Sequence, residues 1–376
     1  MHVAKDTDLP QSASALLDWF ALHQRRLPWR ATPTANPTPY AVLVSELMLQ
    51  QTRVDTVIDY FNRWMARFPT LADLAAASQA DVLAMWTGLG YYNRARNLHA
   101  TAHAVMARHG GVMPQDEASL RALPGLGPYT VGAVRSIAFA QPAALVDGNV
   151  ARVLSRWTAF DGDPNQPKGR AHIWQVAATW LQQPLPRAQP GTWNQALMEL
   201  GATVCTPRSP DCPHCPVLAT CQARAQGREQ AIPPVRQKTP PLLVRAAYAV
   251  IVSDASAFEG VADAEPFVLL GRRPDDVRWA GLWEPPGVEG VDCLDVLNAR
   301  LRAEGFEPEA PLGPIVHVLT HRRYEVLAVP VRVRAERLPT LAAFAYPELR
   351  FQALSAALGK ESGLSRLAQK LLAVVV

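Results

Sequence analysis

Apolar positions through the first two hundred residues recur at helical spacing. Residues 14–23 place Leu16, Leu17, Phe20 and Leu22 toward one side, as a helix with a single buried face would. Residues 40–52, YAVLVSELMLQQT, are apolar on nearly every side, with Val42, Leu43, Leu47 and Leu49 available for packing and Glu46 set among them. Gln50, Gln51 and Thr52 close the same segment with uncharged hydrogen-bonding groups. The pattern predicts further helices over 53–68, 71–77, 129–139, 150–157, 170–181 and 192–204, the last ending directly at Cys205. Beyond residue 241 the period changes. AAYAVIVSD and FVLLGRRP are short β-rich runs, and IVHVLTHRRYEVLAVPVRV reads as a hairpin or a pair of long strands. Amphipathic helices are expected at 294–304 and around 365–372. Between the two regimes, residues 226–241 lack periodicity and carry Pro233, Pro234, Pro240 and Pro241, the composition of a linker. The pattern therefore predicts a mainly α domain over 1–225, a linker over 226–241 and an α+β domain over 242–376.

Composition agrees with a globular chain. Of 376 residues, 49% are hydrophobic and 19% charged, and no apolar run approaches the ~20 residues of a membrane span. The first residues, MHVAKDTDLPQ, lack the apolar core of a secretory signal, which predicts a cytoplasmic or nuclear setting, nucleoid-associated in a bacterium. Charge is unevenly placed. Through Val235 there are 20 Lys and Arg against 16 Asp and Glu, and thereafter 17 against 17, so the front region carries the whole net charge of +4. A nucleic-acid-binding half has that balance, and so does a chance imbalance.

Candidate chemistry gathers at a few points. Four of five cysteines, Cys205, Cys212, Cys215 and Cys221, are spaced C-x6-C-x2-C-x5-C, while Cys293 stands apart. Clustered thiols in one short loop point to metal rather than to a disulfide framework, and spacing alone leaves tetrahedral zinc and an iron–sulfur cluster both open. Glu46, in apolar surroundings, is either a carboxyl held protonated as a general acid or a partner of some arginine. Gly125 and Gly127 form a turn between helical runs. Such a turn is either a phosphate cradle or a plain connector. Asp147 and Asn149 follow it. Gly88 and Gly90 flank Leu89 and precede Tyr91–Tyr92 and two arginines, a pattern suited to a wedge in a base stack and equally to core aromatics at a helix turn. In the Pro-rich loop over 27–40, Trp29 and Arg30 suit base reading, or, for Trp29, the capping of a helical core.

Taken together, LPGLGPYTVGAV, VDGN and the cysteine spacing resemble the helix-hairpin-helix DNA glycosylases that carry a 4Fe-4S loop. SELMLQQT and WTGLGYYNRARNL narrow the resemblance to the MutY-type adenine DNA glycosylases, over about residues 16–221. The resemblance implies a two-lobed helical catalytic domain that binds duplex DNA as a monomer and removes adenine mispaired with 8-oxoguanine or guanine. It places the catalytic acid on Glu46, the catalytic aspartate on Asp147 with Asn149 as companion amide, and the site aromatic on Tyr129. Arg30 and Gln195 fall where members line the adenine pocket. Gln51, Leu89 and Tyr91 fall where they fill the stack, Gly125 and Gly127 where they hold DNA, and Cys205, Cys212, Cys215 and Cys221 where they ligate the cluster. A related endonuclease III-like group, bifunctional on oxidised pyrimidines, carries a lysine where this chain has Tyr129.

The C-terminal region resembles the MutT-like domain of the same family through LWEPPG. A Nudix hydrolase holds Mg2+ with a carboxylate-rich helix, but the corresponding positions are Asn298, Ala299, Arg300, Leu301, Arg302 and Ala303. The resemblance thus implies recognition of 8-oxoguanine without hydrolysis. The family's Phe-Ser-His loop reads Leu319-Thr320-His321 here. Thr320 and His321 are its expected contacts, with Thr52 joining them from the helical domain.

Overall fold

Local chemistry explains where the helices begin. Thr38 caps α2 (Pro39–Leu49) by accepting the Ala41 amide at 3.1 Å, with Pro39 in the first turn where its missing N–H costs nothing. Asp147 caps α9 (Gly148–Trp157) in the same way. The computed structural model describes residues 9–30, 37–234, 240–253, 265–274, 277–333, 344–359 and 362–375. Part of the Pro-rich loop (31–36) and part of the expected linker (235–239) lie outside the described residues. The chain forms two compact units, Met1–Ala76 with Asn97–Gln237, and Ala77–Arg96 with Lys238–Val376.

The first unit is helical. It contains α1 (Leu9–His23), α2, α3 (Val54–Arg67), α4 (Leu71–Ala76), α6 (Asn93–His109), α7 (Glu117–Arg121), α8 (Pro128–Ala133), α9, α10 (Pro167–Leu181), α11 (Pro184–Ala188), α12 (Pro190–Thr203) and α13 (Gln222–Ala225). α6 belongs here from Asn97 onward. The segment expected as one helix over 129–139 is α8 followed by a π-helical turn, Val134–Ala138. One cluster of buried side chains joins Leu16 and Phe20 of α1, Leu154 and Trp157 of α9, Trp180 of α10 and Trp193 and Leu197 of α12. Trp157 meets Trp180 edge-on at 4.8 Å, and its indole N–H donates to Thr220 at 2.9 Å, which ties the cysteine loop to this core. Residues 226–234, read as linker, hold to the helical unit. Ile232 is buried and its carbonyl accepts from the Arg156 guanidinium at 2.8 Å.

The second unit contains α5 (Gln79–Trp86), the Gly88–Gly90 turn and a seven-stranded sheet. Its strands are β1 (Leu242–Ser253), β2 (Phe267–Arg272), β3 (Trp283–Glu284), β4 (Gly287–Glu289), β5 (Leu312–Val318), β6 (Arg322–Val333) and β7 (Glu348–Ala353). β1 runs parallel to β6 over its whole length, from Leu242 opposite Arg322 to Ser253 opposite Val333. β5 and β6 form the expected antiparallel hairpin, and Leu319–His321 is its loop. Side chains alternate along β1. Ala246, Tyr248 and Val250 face one core with α15 (Leu354–Leu358) and α16 (Arg366–Val375), while Ala247, Ala249 and Ile251 face the other with α14 (Cys293–Ala303). Because helices cover both faces, β1 reads as a continuous apolar run rather than a polar alternation.

Candidate active site

Glu46 is buried because its helix is. Eight of the eleven residues of α2 are buried, on every side of the helix, so the carboxyl is 5% exposed. Its partner is Tyr129 in the first turn of α8, whose hydroxyl donates to Glu46 Oε2 and also lies 3.5 Å from Met198 Sδ. Burial pushes the Glu46 carboxyl up to about 7, against the lowering effects of the Tyr129 hydrogen bond and of Arg30. The Asp147 charge adds to the rise. A carboxyl raised this far keeps its proton well above the usual carboxylate range and can give it away. Tyr129 itself is pushed well above the usual phenol range, first by burial, then by the charges of Glu46 and Asp147.

Asp147 has both oxygens engaged. Oδ1 accepts the Val150 amide at 2.7 Å, and Oδ2 accepts the Asn149 side-chain amide at 3.0 Å. Burial raises its pKa, and these two donors oppose the rise. Asn149 is fixed in turn by Arg152, which donates to Asn149 Oδ1 at 2.9 Å, to the Gly201 carbonyl at 2.7 Å and to the Cys205 carbonyl at 2.8 Å. A Cβ at Gly201 would meet Asn149 Cβ at 2.7 Å, so this close approach of α9 and α12 requires glycine.

A cavity of about 650 Å³ brings these groups together, and Arg30, Gln51, Thr52 and Gln195 line it beside Glu46, Tyr129, Asp147 and Asn149. Two carboxyl groups in different environments, one against a phenol and the other against two amide donors that favour its ionised form, suit acid-assisted departure of a base from a sugar. Arg30 does not pair with Glu46. It meets Glu199 Oε2 at 2.7 Å, and Arg25 meets Oε1 at 2.8 Å, both against a carboxylate buried to 1%. Sequence reasoning missed Glu199 and Met198. Glu199 lies four residues beyond Gln195, one helical turn along α12, and that spacing was the available signal. Gln51, expected at a helix end, lies past the end of α2 with a φ of 58°. Trp29 is 7% exposed and packs edge-on against Phe61 at 5.3 Å, as a core residue does.

The remaining expected contacts lie elsewhere. Leu89, Tyr91, Thr320 and His321 line a second cavity of about 660 Å³ within the second unit, where Tyr91 and Thr320 share a hydrogen bond between their hydroxyls. Tyr91 is 46% exposed and Leu89 only 6%. Gly125, with a φ of 73°, packs against the side chain of Asn97, while Thr101 donates to the Pro124 carbonyl at 2.8 Å, so α6 grips the hairpin turn. Gly127 is the N-cap of α8.

Cys205, Cys212, Cys215 and Cys221 line one small cavity, each partly exposed and none in a disulfide. Arg156 stands 3.4 Å from Cys205 Sγ and donates to the carbonyls of Thr206 and Pro207, placing a fixed cation beside the thiols. Among the described residues no three His, Cys, Asp or Glu side chains are placed to hold a single ion. No helix among them is long and apolar enough to cross a membrane.

Residues 44–178 match the family described as HhH-GPD superfamily base excision DNA repair protein. A solved thermostable thymine-DNA glycosylase is similar to 60% of this chain and all of its own, with a TM-score of 0.52 and 26% identity. The chain is 37% identical over 415 residues to the adenine DNA glycosylase of Rattus norvegicus, covering 96% of this chain and 79% of the relative. It is 42% identical over 371 residues to that of Mus musculus, covering 85% and 70%. The chain belongs to the adenine DNA glycosylase family.

Proposed function

We propose that this protein is a monofunctional adenine glycosylase that hydrolyses the N-glycosidic bond of adenine opposite 8-oxoguanine or guanine in duplex DNA. The observation that carries the reading is the buried Glu46–Tyr129 pair at one cavity with the donor-held Asp147. Adenine leaves deoxyribose slowly until a ring nitrogen, N7, takes a proton, and Glu46 supplies it. As the bond breaks, the sugar gains oxocarbenium character, which Asp147 stabilises electrostatically or by transient covalent capture before water arrives. Tyr129 orients the acid and Asn149 the aspartate, while Arg30 and Gln195 line the adenine pocket. The base reaches that pocket only by leaving the stack, at a cost of about a few kcal/mol. Gln51, Leu89 and Tyr91 offset this by filling the vacated stack, Gly125 and Gly127 hold a neighbouring phosphate, and Thr52, Thr320 and His321 read 8-oxoguanine.

Cys205, Cys212, Cys215 and Cys221 suit a 4Fe-4S cluster. Four sulfur donors on one cavity with a cation alongside match an anionic thiolate-bound group. When bound, the cluster supplies iron–thiolate bonds that close the loop from Cys205 to Cys221. The protein is expected to act as a monomer, with domains over 1–225 and 242–376 joined within 226–241.

The test incubates the protein with duplexes carrying A·8-oxoguanine, A·G or oxidised thymine, with and without borohydride. Adenine release with little covalent trapping is expected. Strong trapping with rapid strand nicking on oxidised thymine would transfer the chain to the bifunctional, endonuclease III-like reading.

A further inference from the structure

Between Gln195 and Glu199, the two residues that α12 gives to the active cavity by charge or amide, the same helix carries Met198. Met198 is half-buried. It packs against the helical core, lines the cavity on its other side, and holds its thioether sulfur 3.5 Å from the Tyr129 hydroxyl. No role so far described includes it.

A phenol hydroxyl has one proton to donate, and two acceptors face this one, Glu46 Oε2 and Met198 Sδ. They are unequal. A carboxylate is a strong acceptor and a thioether a weak one, so an ionised Glu46 holds the Tyr129 donor. A protonated Glu46 has an O–H of its own, which can point at the tyrosine oxygen only when the tyrosine aims its proton elsewhere. Met198 gives it that direction. The sulfur thereby completes a second arrangement, Glu46 to the Tyr129 oxygen and Tyr129 to sulfur, with no donor left unpaired at a buried site. The other ionisable groups lining the cavity are Asp147 at the start of α9, Arg25 and Arg30 before α2, and Glu199 on α12. Asp147 takes its amide donors and both arginines take Glu199, which leaves the Tyr129 proton between Glu46 and Met198.

We infer that Met198 is a positioning residue for the acid step: its sulfur accepts the hydrogen bond of the Tyr129 hydroxyl while Glu46 is protonated and releases it as Glu46 becomes a carboxylate. This rests on the proposed role of Glu46 as the acid. When the Glu46 proton passes to adenine N7, the carboxyl is left as a carboxylate, and Tyr129 keeps its own proton and only turns from sulfur to Oε2. The Tyr129–Glu46 hydrogen bond is then strongest as the charge forms, where it lowers the barrier.

The test is single-turnover adenine release by the cluster-loaded full chain, followed against pH on an A·8-oxoguanine duplex. Wild type, Met198→Leu and Tyr129→Phe are compared with the double variant, and Met198→Ile serves as a second sulfur-free chain. Losing the sulfur removes an acceptor that favours protonated Glu46. Met198→Leu should therefore move the alkaline limb to lower pH by about half a unit, the size of one weak hydrogen bond. Tyr129→Phe moves the limb the other way. On that background Met198→Leu should move it no further, because the sulfur acts through the hydroxyl. Met198→Ile should match Met198→Leu. An unmoved or raised limb in both sulfur-free variants, an equal shift on both backgrounds, or a difference between the two substitutions would each overturn the inference. A limb that does not respond to Tyr129→Phe would instead remove the Glu46–Tyr129 pair from the acid role, a result distinct from any outcome at Met198.

Discussion

Glu46→Gln should stabilise the protein while abolishing adenine release, and the gain should depend on pH. Raising a carboxyl from its ordinary 4.5 to about 7 by burial penalises the ionised form in the folded state. At 1.36 kcal/mol per pH unit, the full penalty is about 3 kcal/mol. The sign follows from proton uptake. Between 4.5 and about 7 the folded protein binds a proton at Glu46 that the unfolded chain does not, so the wild type loses stability as pH rises through this window. Below 4.5 both states are protonated and the penalty vanishes. Glutamine has the same shape, never ionises, and its carbonyl can still accept from Tyr129. The variant should therefore match the wild type near pH 4.5, gain through the window and plateau above about 8.

Thermal unfolding of wild type and variant, in parallel from pH 5 to 9, measures this. A unit of this size moves by about 2–4 °C per kcal/mol, so the difference in midpoint should grow by several degrees and then level off. A difference that stays flat with pH would show that Glu46 is not held against ionisation in the fold, and the assignment of the acid would fall with it. Activity gives the complementary reading. Wild-type base release should decline as pH rises past about 7, when Glu46 loses its proton, and should also fall on the acid side as Asp147 gains one.

Tyr129→Phe removes a donor that lowers the Glu46 pKa, so the alkaline limb of the rate profile should move to higher pH; an unmoved limb would sever the two residues. Gly201→Ala forces Asn149 away from α12 and should cost about 1–3 kcal/mol with a large drop in base release, measured by urea unfolding and single-turnover assay. Gly125→Ala meets both a φ of 73° and the Asn97 side chain, and should weaken duplex binding in fluorescence anisotropy more than it slows release at saturating protein. Cys215→Ser should lose iron absorbance, and a wild type purified with stoichiometric zinc and no iron would overturn the cluster.

The catalytic half was legible because its signals are local. Glu46 stands out in an apolar helix, Asp147 is a helix cap by type and position, and four cysteines within one short loop need no tertiary knowledge. The helix starts at Pro39, Pro128, Pro167 and Pro190 follow the same logic, since proline in the first turn marks an entry point. What the sequence left hidden depends on non-local pairing. The two-residue β3 is too short to carry a period, and β7 has no fully buried position to mark a core face; both exist because β2 offers each an edge. The parallel pairing of β1 with β6 joins segments about 80 residues apart, with no turn to announce it. Glu199 was hidden for a different reason. A glutamate on a helix reads as a solvated residue until two arginines from before α2 arrive against it.

That arrival bears on the chemistry. Arg30 lines the cavity near Glu46, and an uncompensated cation there would pull the acid toward ionisation, as its lowering effect on Glu46 already indicates. The Glu199 carboxylate takes hydrogen bonds from both Arg25 and Arg30, so much of their field is spent locally. Glu46 instead keeps a neutral donor, Tyr129, and an anionic neighbour, Asp147, which work in opposite directions on its proton. Asp147 differs because its helix cap and Asn149 supply donors that favour the ionised form. The two carboxyl groups are thus separated in role by their partners, a backbone amide and a side-chain amide for one and a phenol for the other. Exchanging a single partner, as in Tyr129→Phe, should shift one limb of the pH profile and leave the other in place.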